Sequence, residues 1–212
     1  MKILIADDHE VVAEGLRHVI EAQPDMQVIA CVSNGSEAVR CAIEASPDIV
    51  VMDYAMPELN GIEATRMIRE RRPRIAVVML SMYSDPGYVL RALQAGAASY
   101  IVKKSAASEV VQAIREVNAG RRYLGKQFTD GAIDRFIQDA TAGDPLTRLS
   151  SRERQVLQLL AEGHTSTEVA HTLSLSPKSV DTYRARMEQK LGLHDLASLI
   201  KFAIQNGVIS IE

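Results

Sequence analysis

Short aliphatic runs recur at nearly even spacing through the first half of the chain: Lys2–Ala6, Val28–Val32, Asp48–Met52, Ala76–Leu80 and Ser99–Val102. Each is apolar at successive positions rather than at alternate ones. A strand apolar on both faces must be covered on both faces, the condition of a parallel sheet flanked by helices. Between the runs lie amphipathic stretches with helix-start signals. Asn34-Gly35-Ser36-Glu37 and Asn60-Gly61-Ile62-Glu63 place an Asn side chain at the N-cap and a Glu three residues on, within reach of the cap's amide. Asp85-Pro86 offers a cap followed by proline at the first helical position. This alternation predicts a doubly wound, parallel five-stranded α/β domain with right-handed crossovers over residues 1–122.

After Gly120 the strand pattern stops. Residues 123–147 carry one short helical pattern, Ile133, Phe136 and Ile137, then Gly143 and Pro145, and predict a linker with a short helix. Residues 148–212 read as helix throughout. Ser150-Ser151-Arg152-Glu153 is a capping box before Val156, Leu157, Leu159 and Leu160, and Gly163 closes that helix. Thr165-Ser166-Thr167-Glu168 is a second box before Val169 and Leu173. Ser176-Pro177 opens a third helix whose apolar face is Val180, Tyr183, Met187 and Leu191, ended by Gly192. A fourth spans about Asp195 to Asn206. A short helix, a tight turn and a longer basic helix make the helix-turn-helix order, within an all-α four-helix domain.

Composition narrows the function classes. Apolar residues make up 47% and charged residues 24% of the 212, which excludes a disordered, collagenous or coiled-coil chain. No apolar run approaches the length that spans a bilayer, and the first one ends on two aspartates, so neither membrane contact nor export is expected and the chain reads as cytoplasmic. Cys31 and Cys41 form no CxxC and no disulfide framework. The five histidines have no metal-like spacing; His164 and His171 read as surface residues. Residues 1–147 hold 16 Lys+Arg against 20 Asp+Glu, whereas residues 148–212 hold 8 against 7. The second half is therefore only marginally basic, and one copy would bind a polyanion weakly.

In open α/β sheets, ligands sit beyond the carboxyl ends of the strands. Asp7 and Asp8 end the first run, Asp53 follows the third, Ser81 the fourth and Lys103 the fifth. Carboxylates crowded at one place raise one another's pKa unless a cation joins them. A hard divalent ion, Mg²⁺, accepts such oxygens, and the same assembly suits an incoming phosphoryl group. The Lys103 ammonium and Ser81 hydroxyl would then bind phosphoryl oxygens.

Residues 1–120 resemble the receiver (flavodoxin-like) domain of bacterial two-component response regulators. The motifs are Ile5-Ala6-Asp7-Asp8-His9-Glu10, Val51-Met52-Asp53 continuing to Asn60-Gly61, Ser81, and Ser99-Tyr100-Ile101-Val102-Lys103. Residues 148–212 resemble the LuxR-type helix-turn-helix, through Leu149-Ser150-Ser151-Arg152-Glu153-Arg154 and Ser176-Pro177-Lys178-Ser179-Val180-Asp181-Thr182-Tyr183. The whole chain thus resembles a NarL/FixJ-type response regulator, a DNA-binding transcription regulator and not an enzyme.

That resemblance makes Asp53 the phosphoacceptor, with Mg²⁺ held by Asp7, Asp8, Asp53 and the backbone carbonyl of Ala55. It makes Ser81 and Tyr100 the switch pair, whose aromatic ring swings inward, and Lys103 a phosphate contact. Asp181, Thr182 and Ala185 become base-facing; Lys178, Arg184, Arg186 and Lys190 lie near the DNA backbone. The stripe Leu196, Leu199, Ile200 and Ile204 is expected to be the output-domain dimer seam. The implied partners are a cognate sensor histidine kinase, promoter DNA, RNA polymerase and, on phosphorylation, a second copy of the chain. Two departures stand out: Met82 follows Ser81 where a small residue is common, and Lys104 replaces a proline that often follows the lysine. Haloacid-dehalogenase-like phosphatases also use an Asp nucleophile with Mg²⁺, but they need a second acid where this chain has Ala55. A LuxR-type sensor of small apolar signals would need an aromatic-lined cavity, at odds with a chain that has no Trp.

Overall fold

The computed structural model describes residues 1–128 and 145–209, and the chain divides into two compact units, Met1–Asp139 and Ala140–Glu212. The linker helix expected around Ile133 to Ile137 lies outside the described residues.

In the first unit the elements alternate: β1 (Lys2–Ala6), α1 (Glu10–Glu21), β2 (Gln27–Val32), α2 (Gly35–Ala45), β3 (Ile49–Asp53), α3 (Gly61–Arg71), β4 (Ala76–Ser81), α4 (Pro86–Gln94), β5 (Ser99–Val102), α5 (Ala106–Asn118) and β6 (Tyr123–Leu124). The sheet is parallel, in the order β2-β1-β3-β4-β5-β6. Side chains alternate across it, so each strand feeds two cores. Leu4, Val50, Met52, Val77 and Met79 face one layer, where Ala38 and Ala42 of α2 and Ile68 of α3 meet them. Ile3, Ile5, Val51, Val78 and Leu80 face the other, against Leu16 and Ile20 of α1 and Val110 and Ile114 of α5. This double burial is why the runs are apolar at every position.

The chain steps from β1 outward to β2 and then back across β1 to β3. The reversal opens a crevice at the carboxyl ends of β1 and β3. Asp7 and Asp53 stand there.

Six strands replace the expected five. Tyr123 and Leu124 pair with Ser99 and Tyr100, inside the segment expected to be linker. Two residues carry no readable periodicity; what holds them is Glu109 of α5, a buried carboxylate accepting from the Tyr123 hydroxyl at 2.9 Å and from the Lys126 amide at 3.0 Å.

Both Asn-Gly helix starts form as expected, Asn34 accepting from the Glu37 amide at 2.8 Å and Asn60 from the Glu63 amide at 3.0 Å. Their glycines serve close approach. A Cβ on Gly35 would lie 2.0 Å from the Leu59 carbonyl oxygen, and one on Gly61 would lie 1.9 Å from that of Asp53.

The second unit contains α6 (Ser151–Ala161), α7 (Ser166–Thr172), α8 (Pro177–Leu191) and α9 (Leu196–Gln205), around a core of Val156, Leu157, Leu159, Leu160, Val169, Val180, Met187, Leu199 and Ala203. Both expected capping boxes are complete, at Ser150/Glu153 and Thr165/Glu168. Gly192 ends α8 in the left-handed region at φ 68°.

Because the clash at Gly61 is with backbone, no side-chain rotation relieves it. Gly61→Ala is expected to cost about 1–3 kcal/mol in denaturant unfolding, well beyond the effect of the same change at Gly15, where an added Cβ meets nothing within 4 Å.

Candidate functional site

Asp7 follows β1 directly, its amide donating to the Val32 carbonyl at 3.0 Å, and Asp53 is the last residue of β3. Both carboxylates are buried. Lys103 opens a 3-10 turn after β5 and threads back between them. Its ammonium lies 2.9 Å from Asp7 Oδ2 and 2.9 Å from Asp53 Oδ2, and donates to Asp7 Oδ1 at 3.1 Å. Asp8, more exposed, stands at the rim, with His9 Nδ1 2.9 Å from its Oδ1 and 3.3 Å from Asp7 Oδ1. Lys104 follows Lys103 through a trans peptide, as do all described residues in theirs. Ala55 is half-buried, two residues beyond the end of β3.

Charge in this pocket is unbalanced. Burial, opposed by Lys103 and reinforced by Asp7, pushes the Asp53 carboxyl up to about 7. Burial would by itself lower the Lys103 ammonium, but Asp53 and Asp7 outweigh it and hold it above its ordinary value. Asp7 Oδ2 and Asp53 Oδ2 are buried with no donor in hydrogen-bonding alignment, although each touches the lysine's charge. Ligand atoms of Asp7, Asp8, His9 and Asp53 all lie within 4.8 Å of one another. Unsatisfied carboxylate oxygens grouped this closely are a donor set suited to a hard divalent cation. His9 also belongs to the cluster, which the spacing of the histidines does not reveal and its place directly after Asp7-Asp8 does.

Ser81 ends β4, fully buried, one rung beyond the Leu80 that pairs with Asp53. Its Oγ accepts from the Tyr83 amide at 3.1 Å. Tyr100 is also fully buried, its hydroxyl donating to the Tyr83 carbonyl at 2.8 Å. The ring of the expected switch residue is therefore inward in this structure, and both members of the pair are tied to Tyr83. That residue in turn stacks on Tyr88 at 4.3 Å, and Tyr54 packs edge-on to Tyr88 at 5.2 Å. Phe128 meets the Tyr100 ring edge-on at 5.7 Å. Met82 is 60% exposed.

In the second unit, α8 buries Val180 and Met187 and exposes Lys178, Asp181, Thr182, Ala185 and Arg186. Two expected backbone contacts are already engaged. Lys190 donates to both oxygens of buried Glu153, at 2.9 and 2.7 Å, and Arg184 donates to Glu188 at 2.9 Å. Lys190, though exposed, thus neutralises a buried carboxylate of its own domain, an engagement that competes with a DNA contact. The expected seam needs a further correction. Leu199 is fully buried in the domain's own core and cannot face a second copy, and Leu196 packs against that core. Ile200 and Ile204 are half-buried and remain.

A raised carboxyl pKa opposes folding wherever the unfolded state has lost its proton and the folded state has not. With divalent ions chelated, the Asp53 contribution to wild-type stability should therefore fall as pH rises from about 4 to about 7. Asp53→Asn should flatten that slope and be the more stable protein at pH 8, the gap closing toward pH 4. Parallel stability–pH curves for the two proteins would contradict the burial of an ionising Asp53.

Comparisons with known proteins agree with this geometry. Residues 3–115 match the response regulator receiver domain, and residues 147–203 match the luxR family of bacterial regulatory proteins. Response regulator UvrY of Escherichia coli strain K12 is 34% identical over 212 residues, covering 100% of this chain and 97% of its own. Response regulator GacA of Pseudomonas aeruginosa is 34% identical over 209 residues, covering 99% and 98%. The RcsB response regulator of Salmonella typhimurium, solved for its conformational dynamism in DNA interaction, is 25% identical with a TM-score of 0.56, over 95% of this chain and 97% of that one. A LuxR-family two-component response regulator from Aurantimonas has a TM-score of 0.57 at 37% identity, over 67% of this chain and 98% of that one. No helix among the described residues is long and apolar enough to cross a membrane. The chain belongs to the NarL/FixJ family of two-component response regulators, a receiver domain joined to a LuxR-type DNA-binding domain that regulates transcription.

Proposed function

We propose that this response regulator acts in the cytoplasm, accepts a phosphoryl group on Asp53 from a cognate sensor histidine kinase, and as the modified chain pairs with a second copy on promoter DNA. The observation that carries the reading is Lys103, held 2.9 Å from both Asp7 and Asp53 in a pocket with more carboxylate than cation. An Asp53 carboxylate oxygen attacks phosphorus in line. The P–N bond of the phosphohistidine donor breaks, its electron pair leaves with the imidazole, and an acyl phosphate remains. Lys103 is placed to exchange its contact with an Asp53 oxygen for one with a phosphoryl oxygen. Asp7, Asp8 and Asp53, with the Ala55 carbonyl, would hold Mg²⁺, which neutralises charge as the phosphoryl group arrives. Ser81 Oγ accepts from the Tyr83 amide while its own proton can be donated to a phosphoryl oxygen, which would link uptake of phosphate to the loop before α4.

The output reading rests on the exposed face of α8, with Asp181, Thr182 and Ala185 toward bases and Lys178 and Arg186 toward phosphates; Arg184 takes part only by leaving Glu188. Ile200 and Ile204 of α9 are the proposed pairing surface. RNA polymerase is the further partner of a chain that acts at promoters.

Four measurements test this. Asp53→Asn should fold and yet take no label from phosphorus-labelled acetyl phosphate with Mg²⁺, and a labelled variant would move the acceptor elsewhere. Lys103→Ala should still be labelled but gain little DNA affinity from it; full activation would make Lys103 a structural cation only. Log affinity falls by about 0.9 per log salt for each phosphate neutralised, so two free cations give a slope of about −2 per domain and about −4 for a pair. Phosphorylation should steepen the slope accordingly, and Ile200→Asp should return it to the shallow value. Lys190→Ala should lower the domain's melting temperature and leave the slope alone; a shallower slope would restore Lys190 as a contact.

A further inference from the structure

The face that α8 offers to DNA is shaped by two hydrogen bonds inside the domain. Ser166, on α7, donates its hydroxyl to Asp181 Oδ1 at 3.0 Å. Thr182 donates its hydroxyl to the Lys178 carbonyl one turn back, at 2.8 Å. Each bond consumes a donor. The Ser166 proton is spent on Oδ1 of the exposed Asp181 and leaves Oδ2 out of that bond, the carboxylate being held by a residue of the neighbouring helix. The Thr182 proton is spent on the backbone, so the hydroxyl of this exposed residue offers only lone pairs to a partner, alongside a methyl group. Ala185, exposed one turn further on, adds a second methyl. The exposed cations, Lys178 and Arg186, lie toward the two ends of this patch.

We infer that Ser166 is a positioning residue for base reading, and that with Thr182 it makes the centre of α8 an acceptor-and-methyl surface that selects base amino groups, cytosine N4 or adenine N6. The inference rests on the reading that α8 enters the major groove. Every base pair displays one amino group there, on one strand or the other, together with acceptors on the partner base. An acceptor-only surface therefore chooses which strand carries the amino group. Guanine O6 and N7, or thymine O4, turned toward Asp181 would set acceptor against acceptor near DNA phosphates that already repel the carboxylate. Asp181 works as much by rejecting the wrong orientation as by bonding to the right one. Unless its direction is fixed, a carboxylate can turn away from a mismatched base and the rejection is lost. The Ser166 bond supplies that constraint.

The experiment uses the full chain treated with acetyl phosphate and Mg²⁺. Half-sites are selected from a random duplex library with wild type, Asp181→Ala, Ser166→Ala and Ser166→Thr. Wild type should show a strong preference at one base pair per half-site that Asp181→Ala abolishes, and Asp181→Ala should bind unrelated duplex several-fold more tightly. Ser166→Ala should weaken the preference at that same pair and at no other, with the salt slope unchanged, and Ser166→Thr should restore it. At that pair, replacing adenine by purine or cytosine by pyrimidin-2-one, which lack the amino group, should cost wild type about 10-fold and Asp181→Ala nothing. Replacing the guanine or adenine there by its 7-deaza analogue should cost neither. A loss on 7-deaza substitution with none on amino deletion would overturn the inference, as would a Ser166→Ala profile reduced uniformly at all positions. If Lys178→Ala and Arg186→Ala leave the salt slope untouched, α8 does not lie in the groove, and the reading beneath the inference fails with it.

Discussion

One ammonium holds together a group of carboxylates that would otherwise drive one another apart. Lys103 sits between Asp7 and Asp53, and both acids are taken out of water by the strands that end on them. Mutual repulsion and burial both favour protonation, which is why the Asp53 carboxyl rises to about 7 despite the lysine. The pocket is thus short of positive charge. A divalent cation bound among these carboxylates would relieve that shortage. The rest of the receiver must bring the ends of three strands, β1, β3 and β5, to one point and keep them there.

Backbone packing does much of that work. Gly61 lets the start of α3 rest on the Asp53 carbonyl, and Gly35 lets the start of α2 rest on the Leu59 carbonyl. Asp53 is therefore fixed from behind by main chain, leaving its side chain to respond to the pocket. On the other side the Tyr83 amide and carbonyl take up Ser81 and Tyr100, and its ring takes up Tyr88. Two hydrogen bonds thus tie Ser81 and Tyr100 to the segment before α4. Phe128 and β6 lean on the same Tyr100, the ring by edge contact and the strand by pairing, with the Gly125 amide bonded to the Tyr100 carbonyl at 2.9 Å. The last described residues of the first unit are in direct touch with Tyr100.

The output domain follows a related rule, that a buried charge must be partnered by a residue that cannot then serve elsewhere. Glu153 closes the α6 capping box and at the same time receives Lys190 of α8. This fastens the C-terminal part of α8 to α6 and leaves its N-terminal part to face outward. Burial opposes ionisation of Glu153, but Lys190 and the Ser150 amide and hydroxyl hold its pKa below the ordinary value.

Much was legible in the sequence because local chemistry forced it. Apolar runs at every position required a sheet covered on both faces, and caps such as Asn60, Ser150 and Thr165 stand where a helix needs its first amides satisfied. Asp7, Asp53, Ser81 and Lys103 could be placed at strand ends because strand ends were readable, and the structure brings Asp7, Asp53 and Lys103 into contact with Ser81 close by. What escaped depended on partners distant along the chain. Two residues of β6 have no period of their own and exist as a strand because Glu109 and β5 receive them. Lys190 looked like its neighbours on a basic helix until Glu153, 37 residues away, claimed it. Leu199 belonged by spacing to an exposed stripe, yet the rotation of α9 against α6 turned it into the core. Periodicity fixes which residues share a face of a helix; only packing decides how much of that face the domain keeps for itself.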